Sequence, residues 1–330
     1  MPDVTILTER ELRAAVRLDG EIVDAIAAAF GWLAEGKAAM PPIMHISVPE
    51  HAGDVDIKSA YVSGLDYFAV KIGAGFFNNH KLGLPNSPAS VVLVSAKTGV
   101  VEAVLLDNAY LTDVRTAAAG AVAAKYLVRK GPLTAAIIGT GVQARYQLEA
   151  LTIVRKLNKA LVWGRDNGKA KAYADEMSRK LGLDVAVSNS AEAAVRAADV
   201  IVTTTPVKSP IVKAEWLKPG QHITAMGADL ADKQELEAAC LAKAHRVVVD
   251  RVSQCEKMGE LHHALAAGAL KDTAAVVELG AIVNGRAPGR QRDDEITICD
   301  LTGTGVQDTA IGALAYRRAK AAGAGTEIAN

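Results

Sequence analysis

The sequence predicts an α/β protein in which a Rossmann-type parallel-sheet domain stands beside an α+β domain. Three observations carry this. The run Ala135-Ala136-Ile137-Ile138-Gly139-Thr140-Gly141 reads as an apolar strand feeding a tight glycine turn. From Thr134 onward short apolar strands alternate with helical stretches, the grammar of a parallel sheet covered on both faces. Between Pro41 and Val94, by contrast, short β-branched and aromatic runs are punctuated by proline, glycine and asparagine, as in an antiparallel sheet.

Taken in order, Thr8 with Glu11 forms a capping box that opens a short helix. Asp19 caps a second helix, in which Ile22, Ile26, Ala29, Phe30 and Leu33 recur at helical spacing until Gly36 ends it. Ile43 to Val48 and Phe68 to Ile72 read as strands. Val91 to Ser95 and Val100 to Leu106 read as a hairpin around Lys97-Thr98-Gly99. An alanine-rich helix is expected from Arg115 to Val128. Beyond the glycine turn, helices are expected through Val154, from Lys169 to Leu181, around Ala191 to Ala197, and from Leu236 to Ala242. Strands are expected at Ala160 to Trp163, Val185 to Val187, Val200 to Thr204, His222 to Met226 and Arg246 to Val249. Gln307 to Ala321 closes the chain as a helix.

Composition narrows the function. The chain has 330 residues, half of them hydrophobic, with 37 basic and 37 acidic side chains and a formal net charge of zero. No basic stripe points to nucleic acid or to an anionic membrane. The N-terminus carries no signal-peptide pattern, and the apolar runs are too short to span a bilayer, so a cytoplasmic protein is expected. Cys240, Cys255 and Cys299 lie too far apart for a zinc site or a disulfide framework and are expected as buried free thiols. No cluster has metal-ligand spacing, so no metal is expected.

The glycine turn continues as Gly139-Thr140-Gly141-Val142-Gln143-Ala144, which fits Gly-x-Gly-x-x-Ala in the strand-to-helix context that fingerprint requires. Gly139 permits the turn, Gly141 lets the backbone approach a pyrophosphate, Ala144 allows close packing of helix on strand, and the helix N-terminus supplies positive potential. A nicotinamide dinucleotide is therefore the expected cofactor. The next strand ends at Trp163 and is followed by Gly164-Arg165-Asp166. An acidic residue at the strand end would hold the adenosine ribose, yet that place is Gly164. Arg165 suits the 2′-phosphate of NADP, whereas Asp166 remains within reach of a ribose hydroxyl, so NAD and NADP both stay open.

The run Thr112-Asp113-Val114-Arg115-Thr116 with its alanine-rich continuation to Leu127, the Ile138 to Ala144 turn, the Gly227-Ala228-Asp229 to Glu235-Leu236 segment and Gly305-Val306-Gln307-Asp308-Thr309-Ala310 together resemble the ornithine cyclodeaminase and mu-crystallin family over nearly the whole chain. The resemblance is closest to its ectoine-utilisation-type subgroup, to which the iminosuccinate reductase of the β-hydroxyaspartate pathway is similar. It implies a substrate-binding and dimerisation domain at 1–115, completed by 306–330, and a Rossmann domain at 116–305. It also implies NADH as the favoured cofactor and a homodimer. A sheet with an open edge gives independent reason to pair with a symmetric copy.

Hydride exchange at an amino-acid α-carbon needs a clamped carboxylate, a proton donor or acceptor at nitrogen, and exclusion of water. Lys71 sits on a half-buried strand, where a lysine needs a partner or a shifted pKa, and it matches the family's catalytic lysine. Arg115 offers a fork for a carboxylate or a pyrophosphate, or alternatively a salt bridge to Asp113 or Asp107. Asp229 follows a strand at the carboxyl edge and matches the aspartate that cyclodeaminases use for acid–base work. Its bland alternative is a helix cap, a role Asp232 would also fit. Lys233 matches a residue that approaches the cofactor. The family's other carboxylate-binding arginine falls near Ile43, which leaves His45 and Lys58 as the nearby cations.

These residues lead to one expectation: NAD(P)H-dependent reduction of an α-imino acid to an L-amino acid, with iminosuccinate to L-aspartate as the leading case. A cyclodeaminase acting on an ornithine-like substrate, an ectoine-degradation enzyme, and a non-catalytic binder of mu-crystallin type are the alternatives.

Overall fold

The computed structural model describes residues 3–329, and the chain divides into two compact units. One holds the chain up to Arg115 together with everything from Thr304 on; the other runs from Thr116 to Gly303.

The first unit opens with β1 (Val4–Thr8), which the sequence reading did not foresee, and then α1 (Glu9–Ala15) and α2 (Gly20–Ala34). The caps are those expected: Thr8 and Glu11 form a capping box, and Asp19 accepts from the Ile22 amide. The strands β2 (Ala38–Ala39), β3 (Met44–Val48), β4 (Gly53–Val62), β5 (Tyr67–Phe76), β6 (Ala89–Ser95) and β7 (Val101–Leu106) follow. Neighbours from β3 to β7 pair antiparallel, and β6 and β7 form the expected hairpin, turning through Gly99 at φ 73°. Then comes α3 (Tyr110–Leu127), which begins more than a turn before Arg115 because Asp107 Oδ2 accepts from the Leu111 amide at 2.8 Å.

The second unit contains β8 (Leu133–Ile138), α4 (Val142–Val154), β9 (Leu157–Trp163), α5 (Asn167–Leu181), β10 (Asp184–Val187), α6 (Ala191–Ala197), β11 (Val200–Thr203), β12 (His222–Ala225), α7 (Ala238–Lys243), β13 (Arg246–Val249), α8 (Val252–Cys255), α9 (Gly259–Ala266), β14 (Val277–Glu278), α10 (Leu279–Val283) and β15 (Thr297–Asp300). Its sheet runs β10-β9-β8-β11-β12-β15-β13-β14, parallel throughout. The order reverses between β8 and β11, which is where sheets of this kind bind ligands. The cap expectations at α7 fail, for Glu237 occupies the N-cap rather than Asp229 or Asp232. Cys240, Cys255 and Cys299 are free and buried.

The chain returns to the first unit with α11 (Gly305–Ala321) and β16 (Thr326–Ile328). That unit's sheet reads β16-β1-β7-β6-β5-β4-β2, with β3 also on β4; β1 joins β7 in parallel, so the sheet is mixed. α11 packs on β4 and β5 and against α2. The register puts Leu7, Ala60, Ala69, Lys71, Val91, Leu93, Ala103 and Leu105 on the buried face. The opposite face is apolar yet open: Met44, Ile46, Tyr61, Ile72 and Leu106 are each more than 40% exposed. Among the described residues no helix is long and apolar enough to cross a membrane.

Candidate active site

In the second unit the glycine turn forms one wall of a cleft of about 190 Å³, lined by Gly139, Thr140, Gly141, Trp163, Gly164 and Arg165 on one side and by Thr204, Thr205, Pro206, Val207 and Ile211 on the other. Gly139 sits at φ 123°, and a Cβ there would lie 2.5 Å from Thr204 Oγ1, so both conformation and space demand glycine. At Gly141 a Cβ would meet nothing within 4 Å, so the backbone there is open to close approach. Gly141 is the N-cap of α4 and provides no side-chain cap, which leaves the first-turn amides for an anion. Arg145 Nη1 donates to the carbonyls of Thr140 (2.6 Å) and Gly141 (3.1 Å), stiffening the turn. Ala144 is fully buried, as close helix–strand packing requires, while Val142 is 56% exposed and Gln143 accepts from Gln147 Nε2. The residues present therefore fit a dinucleotide.

The other expected cofactor contacts divide. Arg165 lines the cleft beside Gly164. Asp166 instead caps α5, its Oδ1 accepting from the Lys169 amide at 3.0 Å, and it is not part of the cleft wall. Lys233 and Asp229 pair with each other at 2.7 Å on the loop after β12, with Asp229 half exposed.

In the first unit, β5 and α11 bring together a buried ionic cluster. Lys71 Nζ lies 3.1 Å from Oδ1 and 3.0 Å from Oδ2 of Asp308, and Arg115 Nε lies 3.1 Å from Asp308 Oδ1. Arg115 Nη1 also donates to Gln307 Oε1 at 2.9 Å. Lys71 and Asp308 are 5% and 2% exposed. Burial brings Lys71 down to about 8, with Asp308 opposing the fall and Arg115 and Lys58 adding to it. Burial pushes Asp308 up, but Lys71, Arg115 and Lys58 together hold it below the ordinary carboxylate value. Asp107, also influenced by this cluster, is raised by burial to about 6.

Lys58 stands directly opposite Lys71 in the β4–β5 register and has no ion-pair partner among the described residues. His45 lies on the same face, but its Nδ1 is 2.8 Å from Asp56 Oδ1 and so is already engaged. Asp107 Oδ1, Thr112 Oγ1, Thr304 Oγ1 and Gln307 Nε2 are buried and make no hydrogen bond within the protein, concentrating unspent polar capacity in the segments that build the cluster. Asp308 and Gln307 carried no assigned role in the sequence reading. Their only signal was the motif Gly305 to Ala310.

The model of the family described as ornithine cyclodeaminase/mu-crystallin matches residues 3–323. A putative dehydrogenase of Rhizobium meliloti (strain 1021) is 54% identical, the match covering 99% of each chain. Among solved structures, the Δ1-pyrroline-2-carboxylate reductase of Thermococcus litoralis in complex with NADH and L-proline is 33% identical with a TM-score of 0.92, the match covering 98% of this chain and 100% of that one. The iminosuccinate reductase of Paracoccus denitrificans in complex with NAD+ is likewise 33% identical with a TM-score of 0.92, covering 99% of this chain and 100% of that one.

Proposed function

Because this chain belongs to the ornithine cyclodeaminase/mu-crystallin family, we propose that it reduces an α-imino acid to an L-amino acid with NADH or NADPH, iminosuccinate to L-aspartate being the leading case. The observation that carries the reading is the buried Lys71–Asp308–Arg115 cluster with Lys58 beside it. Two buried cations share one carboxylate, and an unpaired ammonium adds a further positive charge, a set matched to an anionic substrate. The relatives named for imino-acid reduction support the reaction class.

A bound reduced nicotinamide would supply the hydride that the imine carbon gains. Arg115 holds the α-carboxylate, and Lys71, as an ammonium, delivers the proton that nitrogen gains. Asp308 orients both cations. Lys58 takes the second carboxylate of a dicarboxylic substrate. His45 contributes less, because its Nδ1 is already hydrogen-bonded to Asp56. Asp229 and Lys233 serve proton traffic and cofactor contact from the loop after β12. In this reading the first unit also carries the dimer interface, through the open apolar face of its sheet rather than its edge.

The test is to generate iminosuccinate in situ with a hydroxyaspartate dehydratase and follow NADH oxidation together with aspartate formation. Aspartate is expected, and Lys71→Ala or Arg115→Ala should lower kcat/KM at least about tenfold. If aspartate never forms while pyruvate plus ammonia or a cyclic imine is reduced, the dicarboxylate assignment is wrong and the broader imine-reductase reading stands. Ammonia release from ornithine without net cofactor oxidation would identify a cyclodeaminase instead, and binding without turnover a mu-crystallin-like binder.

A further inference from the structure

Glu235 is fully buried in the second unit, and every hydrogen bond its carboxylate makes is accepted from a donor. Oε1 takes the amide and the hydroxyl of Thr205; Oε2 takes the Thr203 hydroxyl at 2.6 Å and the Gly227 amide at 2.8 Å. Four contacts from three residues satisfy both oxygens, while burial raises the carboxyl above its ordinary value. The residue is itself anchored, for its amide donates to Glu260 Oε1 at 2.8 Å and its carbonyl accepts from the Ile211 and Val212 amides. Thr203 ends β11, Thr205 lines the cleft, and Gly227 follows β12 and leads to Asp229. A Cβ on Gly227 would lie 2.2 Å from the Thr205 carbonyl oxygen, so the two loops touch where Glu235 ties them.

We propose that Glu235 is a positioning residue that locks the loops after β11 and β12 together and so sets the far wall of the dinucleotide cleft. The inference rests on dinucleotide binding in that cleft. A glutamine of the same shape keeps one acceptor oxygen and turns an NH2 group towards donors, which breaks the lock without a cavity.

The experiment is titration of NADH and NAD+ into the wild-type protein, Glu235→Gln and Thr203→Val. Thr203→Val removes a single bond to Glu235 at a residue outside the cleft wall. Glu235→Gln should weaken both nucleotides at least about tenfold, and Thr203→Val should weaken them about three- to tenfold. If a folded Glu235→Gln binds both within twofold of wild type, the positioning role is wrong. If it does not fold, unchanged affinity in Thr203→Val overturns the role equally. A wild-type protein that binds neither nucleotide refutes the dinucleotide reading itself, an outcome distinct from the others.

Discussion

Imine reduction consumes a proton, so the protonation state of Lys71 should be readable in the rate. Its ammonium form persists to about 8 because burial lowers it, Asp308 partly restores it, and Arg115 and Lys58 lower it further. The reductive kcat/KM should therefore fall as pH rises through about 8, while oxidation of the amino acid, which needs the free amine as base, should rise through the same value. Lys58→Ala removes a neighbouring positive charge and should move both limbs to higher pH; limbs that stay in place would take Lys71 out of the proton transfer. Arg165 makes a second case. It lines the cleft beside Gly164, and no acidic side chain stands there to repel a 2′-phosphate. Arg165→Ala should weaken NADPH about tenfold or more and leave NADH nearly unchanged in a direct titration. Equal effects on both would make it a general surface charge. Lys71 stands out in the sequence because a lysine on a half-buried strand needs a partner and because it matches the family's lysine, and Arg115 because its fork suits a carboxylate; both lie beside Asp308. Asp308 itself does not stand out, since it lies 237 positions beyond Lys71 and no local pattern joins them. Asp166 caps α5, a role that a carboxylate one residue before a helix serves whatever else it contacts.

Elements were legible where periodicity or turn chemistry spoke locally. The β6–β7 hairpin, the caps of α1 and α2, and the β8-turn-α4 unit all stand as the sequence implied. β15 escaped notice because its four residues are all buried, leaving no alternation to detect. β1 was hidden by the capping box that follows it, and its parallel place beside β7 depends on a partner about a hundred residues away. The position of α11 matters most for function, since its first turn carries Gln307 and Asp308. Gly305 lets that turn sit on β4: a Cβ there would lie 2.5 Å from the Ser59 carbonyl oxygen, and backbone must move to admit it. Gly312, further along, would meet only side chains, none nearer than the Leu93 tip at 3.1 Å. Gly305→Ala should cost about 1–3 kcal/mol and lower kcat/KM beyond any loss of stability, because Asp308 is displaced from Lys71. Gly312→Ala should cost less and leave kcat/KM intact, since a leucine tip yields more readily than a main chain. Thermal melting and kinetics on the two variants separate these outcomes, and equal effects would show that the seat of α11 does not control the cluster.

At the scale of the whole molecule, helices cover one face of the first unit's sheet and leave the other apolar. The sequence reading expected a symmetric partner from the need to cover an open edge. The structure supplies a different reason: Met44 and Ile46 on β3, Tyr61 on β4, Ile72 on β5 and Leu106 on β7 share the same open face, each more than 40% exposed. The alternation that places Lys71 inward places Ile72 outward, so this open face is a direct consequence of the register that builds the cluster. Contiguous apolar surface of this kind marks an interface, and a stable one buries about 800 Å² on each partner. A second copy of the same face, related by a two-fold axis, satisfies that need with one sequence. Light scattering should therefore give a dimer at micromolar concentration. The double substitution Ile46→Glu with Ile72→Glu puts two carboxylates on each copy of the face. It should yield a monomer that still titrates with NADH, since the glycine turn belongs to the other unit. A wild-type monomer would refute the dimer outright. A dimer that survives both glutamates would place the interface on another surface.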